Sequence, residues 1–261
     1  MKKIVAILTM MILAAHVFGA GARTGKPRDL ITVERTVEKF DRIKVSGPID
    51  LVVVTGKEQK VTVSCDSKYL HTIETFTRNG ELNISMTGVL KFKNVSETFR
   101  VEVSVEELKE LTASGLAIVN FPEKTSVENF SLTTSGVAKV GFADLEASNR
   151  LSIESSGASR VDITGSVQRV SVEGTGACNI FFTGKASTIN LEVSGACKTT
   201  INAESEKLDI EASGACKVTL TGHTQSLRLE ASGATSVRSE RFKADNRQVS
   251  FSGAAKISIV D

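Results

Sequence analysis

The 261-residue chain contains no tryptophan and a single tyrosine, Tyr69, so it lacks the flat rings on which sugar sites usually stack their ligands. It has three histidines, and none marks a catalytic centre. His16 lies in the N-terminal apolar run, and His71 and His223 show no evident carboxylate or cysteine partner. No H-E-x-x-H, G-x-S-x-G or phosphate loop occurs. Only one long apolar run exists, Ile4–Phe18, and it is short of the roughly 20 residues that a membrane-spanning helix needs. It follows Lys2 and Lys3 and precedes Ala20-Gly21-Ala22, the pattern of a secretory signal peptide cleaved after Ala22, with Ala20 as the second choice. Removing residues 1–22 takes away two lysines and no acid, which leaves 30 basic against 30 acidic residues. A balanced surface gives little attraction for nucleic acid or anionic membrane.

A short repeat dominates the remainder. Ser/Thr-Gly pairs place glycines at 115, 136, 157, 176, 195, 214, 233 and 253, at intervals of 19–21 residues. Around each glycine the apolar residues alternate, which is the strand period. Four residues before it stand Leu111, Leu132, Ile153, Val172, Leu191, Ile210, Leu229 and Val249, and four after it Val119, Val140, Val161, Ile180, Thr199, Val218, Val237 and Ile257. Each unit reads as two short strands, one face in and one out, joined at a Ser-Gly corner and closed by a second turn, often Thr-Gly. One such unit cannot bury its apolar face, whereas stacked copies can. The expected fold is all-β: a parallel β-solenoid (single-stranded β-helix), right-handed, with a core roughly 38 Å long over eight rungs. A leucine-rich repeat has a similar period but a different framework, with a returning helix.

The expected organisation is a signal peptide at 1–22, a disordered leader at 23–29, irregular N-terminal β rungs and a cap at 30–107, and the eight-rung solenoid at 108–261. Strands are expected at Ile31–Val37, Arg42–Val45, Ile49–Thr55, Val61–Cys65, Leu82–Met86 and Thr98–Val103, with a short helix over Lys68–Thr77.

The run Phe40-Asp-Arg-Ile-Lys-Val-Ser-Gly47, then Leu51-Val-Val-Val-Thr-Gly56, then the series opened by Leu111-Thr-Ala-Ser-Gly115, resembles the auto-transporter adhesin head GIN domain family over roughly residues 40–261. The resemblance implies a pectin-lyase-like β-helix in a secreted bacterial protein and a role in adhesion. It supplies no catalytic residue to carry over.

Three patterns qualify as candidate sites. Cys178, Cys197 and Cys216 each stand two residues after a corner glycine, so they form one inward column, with Cys65 outside it. A disulfide is sterically open to the column and export permits oxidation, but buried free thiols acting as small hydrophobes are the preferred expectation. Glu154, Glu173, Glu192, Glu211 and Glu230 form an outward column that would suit a cation. Lys139, Arg160, Lys198, Lys217 and Lys256 form a second, so diffuse pairing across the corner is the simpler account. No catalytic, cofactor-binding or metal-ligating residue is assigned.

The function expected is a non-enzymatic exported module for adhesion, binding or scaffolding, in the periplasm or at the cell surface. The alternatives are a pectin-lyase-like polysaccharide-active enzyme and a carbohydrate-binding module. Even rung intervals leave no space for the long loops of a lyase groove, and Phe181 is the only phenylalanine after Leu108 on an outward column. Partners are an unknown surface ligand or protein, no nucleic acid, and a homodimer formed through the C-terminal rung.

Overall fold

The computed structural model describes residues 30–87 and 99–259. The expected signal peptide and leader lie outside the described residues. Strands come first in an irregular block: β1 (Leu30–Glu34), β2 (Arg42–Ser46), β3 (Asp50–Thr55), β4 (Lys60–Asp66), β5 (Ile73–Arg78), β6 (Glu81–Met86), β7 (Arg100–Val105) and β8 (Glu110–Ser114). Long strands then follow one another: β9 (Ile118–Thr134), β10 (Lys139–Ser155), β11 (Arg160–Gly174), β12 (Asn179–Val193), β13 (Lys198–Ala212), β14 (Lys217–Ala231) and β15 (Ser236–Phe251), closed by β16 (Lys256–Ser258).

From β9 to β16 every neighbour is parallel, in a solenoid of seven full turns; the eighth copy contributes only the three-residue β16. The expected pair of short strands per rung is one strand of 15–17 residues. The chain bends at the second turn without leaving the ladder: Thr183↔Asn202 and Gly184↔Ala203 pair straight through it. Only the Ser-Gly corner interrupts the strand. Gly214 has φ +84 there, and a Cβ on it would sit 2.6 Å from the carbonyl oxygen of Gly195 in the rung before. Corners stacked this closely admit no side chain, which explains the spacing of the repeat.

The inward columns form one continuous core. Val161, Ile180, Val218 and Val237 are buried in it, and the rings of Phe121 and Phe142 stack at 4.0 Å. In the irregular block, β2 pairs in parallel with β8, with Ser46 level with Ser114, while β3 pairs with β7 and with the start of β9. Antiparallel pairs β1–β4, β4–β7 and β5–β6 complete this end. The helix expected over Lys68–Thr77 is a 3-10 helix at Ser67–Thr72 followed by β5. Ile73, Thr75 and Thr77 are β-branched, and β6 offers them a partner, so the strand wins over helix propensity.

Candidate functional site

The alternation of two fails at the bend, and this failure builds a groove. Along β12, Ile180 and Phe182 are buried, Thr183–Lys185 turn outward, Ala186 is buried, Ser187 and Thr188 lie half-exposed, and Ile189, Leu191 and Val193 are buried again. A short third side therefore separates the two long ones. Its inward column is made of small residues in register: Val127, Ala147, Val167, Ala186, Ser205 and Thr224. On one flank stand Ser126, Glu146, Ser166, Lys185, Glu204 and His223, and on the other Glu128, Ser148, Gln168, Ser187, Glu206 and Gln225. These flanks wall a groove of about 890 Å³ that crosses six rungs, a length of about 24 Å at the usual strand spacing.

The walls are polar, and walls and floor are partly cross-linked between rungs. Gln168 Nε2 donates to Ser187 Oγ at 3.1 Å, and Ser205 Oγ donates to Thr224 Oγ1 at 3.0 Å. Glu146 accepts from Ser126 at 3.3 Å and pairs with Lys124 at 2.7 Å, which holds its carboxyl below the usual range. The side chains of Glu128, Glu206 and Lys185 make no hydrogen bond or ion pair with the other described residues. Contrary to the sequence expectation, His223 lies between two carboxylates: Nε2 is 3.1 Å from Asp245 Oδ1, and Nδ1 is 3.8 Å from Glu204 Oε2. Its partners come from the rungs on either side, and only the Glu204 spacing of 19 residues could have signalled them.

The glutamate column is real as a ladder, Glu154↔Glu173↔Glu192↔Glu211↔Glu230. Glu192, Glu211 and Glu230 line a second hollow of about 340 Å³. Repulsion between the last two is relieved from an unexpected quarter. Arg228 reaches Glu230 at 2.6 Å and Glu211 at 3.7 Å. Among the described residues no ion pair joins this column across the corner to Lys139, Arg160, Lys198, Lys217 or Lys256. Arg160 instead pairs with Asp162 at 2.6 Å on its own strand and covers the outward ring of Phe181 at 4.4 Å. The corner turns the two columns onto different sides, whereas residues two apart on one strand share a face. No group of three or more His, Cys, Asp and Glu side chains that could hold a metal is present among the described residues.

The cysteine column also departs from expectation. Cys178 and Cys197 form a disulfide with Cα atoms 4.7 Å apart, so the preferred reading of free thiols fails for this pair. Stacking at one rung spacing brings the two Cα atoms inside the bridging window. Cys216, one rung further, stays a buried thiol, its Sγ donating to Ser213 O at 3.0 Å, and burial pushes its pKa up. Cys65 is likewise a buried thiol with a raised pKa.

Residues 39–180 and 170–261 match a family whose description is "Putative auto-transporter adhesin, head GIN domain". No curated protein matches the chain. Solved structures share the fold at low identity. A "putative lipid binding protein" from Parabacteroides distasonis is 17% identical with a TM-score of 0.72, over 89% of this chain and 97% of its own. A "putative adhesin" from Parabacteroides merdae is 16% identical with a TM-score of 0.71, over 89% and 97%. Another from Bacteroides fragilis is 17% identical with a TM-score of 0.62, over 92% and 100%.

Proposed function

Because the chain belongs to the family described as "Putative auto-transporter adhesin, head GIN domain", we propose that it is an exported, non-enzymatic adhesion module whose contact surface is the six-rung groove. Residues 1–22 are the signal peptide, removed after Ala22, and the mature protein works in the periplasm or at the cell surface. The observation that carries this reading is the groove itself: an open trough with a flat β floor, unbroken by loops, in which every rung presents comparable polar side chains. Such a surface suits an extended ligand held at many weak points. Stacked rungs also supply rigidity, since the floor residues from Ala147 to Thr224 are tied to the rung on either side.

A glycan array run beside an assay for unsaturated-uronate release tests the proposal. The expected result is array binding that Ser187→Trp abolishes by filling the groove, with circular dichroism unchanged and no product released. Turnover of a polysaccharide that is lost on changing one outward carboxylate would establish an enzyme instead.

A further inference from the structure

The cysteine column holds one sulfur more than its disulfide uses, and the middle cysteine has a possible partner on either side. Cys178, Cys197 and Cys216 stand at the corners that join β11 to β12, β12 to β13 and β13 to β14. The backbone relates Cys197 to both neighbours in the same way. Lys198 N donates to Cys178 O at 2.8 Å, and Lys217 N donates to Cys197 O at 2.8 Å. Ala196 N donates to Gly176 O and Ala215 N to Gly195 O, each at 2.7 Å. The residues next in line pair without a shift, Asn179↔Lys198↔Lys217. The Cα separation of 4.7 Å that lets Cys178 and Cys197 bond is a rung spacing, and the rung from Cys197 to Cys216 repeats it. Packing, not backbone, tells the two bonds apart. Gly174 faces the column from across the corner, and a Cβ on it would lie 2.9 Å from Cys178 Sγ. The bonded sulfur therefore uses space that the glycine leaves. One rung on, where Cys197 would take the role of Cys178, Val193 stands in place of Gly174.

We infer that the disulfide is shared along the column: Cys197 bonds Cys178 in the major form of the folded protein and Cys216 in a minor form, and the two interconvert by thiol–disulfide exchange. The Cys216 thiolate attacks Cys197 Sγ along the stacking axis. The Cys197–Cys216 bond forms as the Cys178–Cys197 bond breaks, and Cys178 leaves as a thiolate that takes up the proton Cys216 gave away. One disulfide and one thiol remain, so no oxidant or reductant is consumed. Burial pushes the Cys216 pKa up, so exchange is slow at neutral pH and quickens as the pH rises and thiolate accumulates. The cross-link thereby moves by one rung, fastening either the first two or the last two of the three corners.

Each of these cysteines falls on its own tryptic peptide, Val170–Lys185, Ala186–Lys198 or Leu208–Lys217. Mass spectrometry of the unreduced mature chain, its thiols alkylated during unfolding in acid, therefore reads the links directly. After a day at pH 9 the wild type is expected to carry the Cys197–Cys216 link in about a hundredth to a tenth of its molecules. Gly174→Ala crowds Cys178, and Val193→Gly frees the matching space beside Cys197. Each is expected to raise that share by about threefold or more. Cys178→Ser puts serine in a column where Ser159 is already buried, and it is expected to form the Cys197–Cys216 bond in full. Free thiols at both Cys197 and Cys216 in that variant would overturn the proposal. So would a Cys197–Cys216 link missing from the wild type and from both packing variants. A link from Cys178 to Cys216, or from any of the three to Cys65, would place the exchange in the unfolded chain and overturn it as well. Protein as purified and protein reduced and re-oxidised are expected to reach the same shares; shares that stay different at pH 9 would mean a fixed mixture, not a moving bond.

Discussion

Thr199 occupies the inward position that Val161, Ile180, Val218 and Val237 fill in other rungs, and its hydroxyl is buried without a partner. A hydroxyl taken from water and left unbonded costs about 1–3 kcal/mol. Thr199→Val keeps the shape and removes that cost, so it is expected to raise stability by about 1 kcal/mol, seen as a higher urea midpoint at unchanged slope. A neutral or lower midpoint would mean that the hydroxyl has found a bond. Ser159 is the contrasting case. It is equally buried, but its Oγ is 2.7 Å from Ser155 Oγ and 3.2 Å from Thr134 Oγ1, so the cluster satisfies itself. Sequence places both residues in inward columns, yet nothing in the alternation of apolar positions says which hydroxyl finds a neighbour. That depends on what the rungs above and below happen to offer, and the same is true of Cys197, which has a cysteine on each side and bonds Cys178.

At the scale of the strand, the bend that makes the groove depends on Gly184. Its φ is +146, and a Cβ there would overlap the carbonyl oxygen of Gly165 directly before it in the stack. Gly184→Ala therefore meets both backbone strain, about 1–2 kcal/mol, and a collision with main chain that cannot swing aside, worth roughly 1–3 kcal/mol more. Gly56 is the control: its φ is +73, but a Cβ would meet nothing within 4 Å, so Gly56→Ala carries only the first cost. Thermal unfolding of the two variants is expected to show the larger loss at Gly184; equal losses would mean the rungs separate easily at the bend. The Ser-Gly corners were legible because the same pair recurs at every rung. The second bend was less so, since Gly165, Gly184 and Gly222 share their level with Leu145 and Ala203, and the strand runs on through it.

For the whole molecule, the two ends of the stack differ. The N-terminal end is closed by antiparallel strands, whereas β16 pairs with β15 only over Ser236–Arg238. Phe251, on an inward column, is 66% exposed, and Val249 is 39% exposed, because no further layer lies against them among the described residues. Phe251 is thus an exposed phenylalanine on an inward column, which the column pattern alone did not reveal. Among the described residues no strand pairs with the outer edge of β15 beyond Arg238, and a second copy of the same edge would satisfy its backbone groups around a two-fold axis. A dimer is the expected state, measured by light scattering over a dilution series, and Phe251→Lys is expected to shift it to monomer. A monomer at high micromolar concentration, or a dimer indifferent to Phe251→Lys, would show that this end is tolerated bare.

Sequence by itself determined the repeat, the in-and-out parity of the long sides, the corner glycines and the alignment of Cys178, Cys197 and Cys216 in one column. These are consequences of a period of two copied at near-constant spacing, and stacking only adds the same column to itself. Tertiary structure decided the short third side and its groove, the carboxylates around His223, the role of Arg228 between Glu211 and Glu230, and which cysteines bond. Those features arise where parity breaks or where neighbouring rungs carry different residues. Their partners stand close in sequence to nothing that marks them, and only the stacking of one turn on the next brings them within reach.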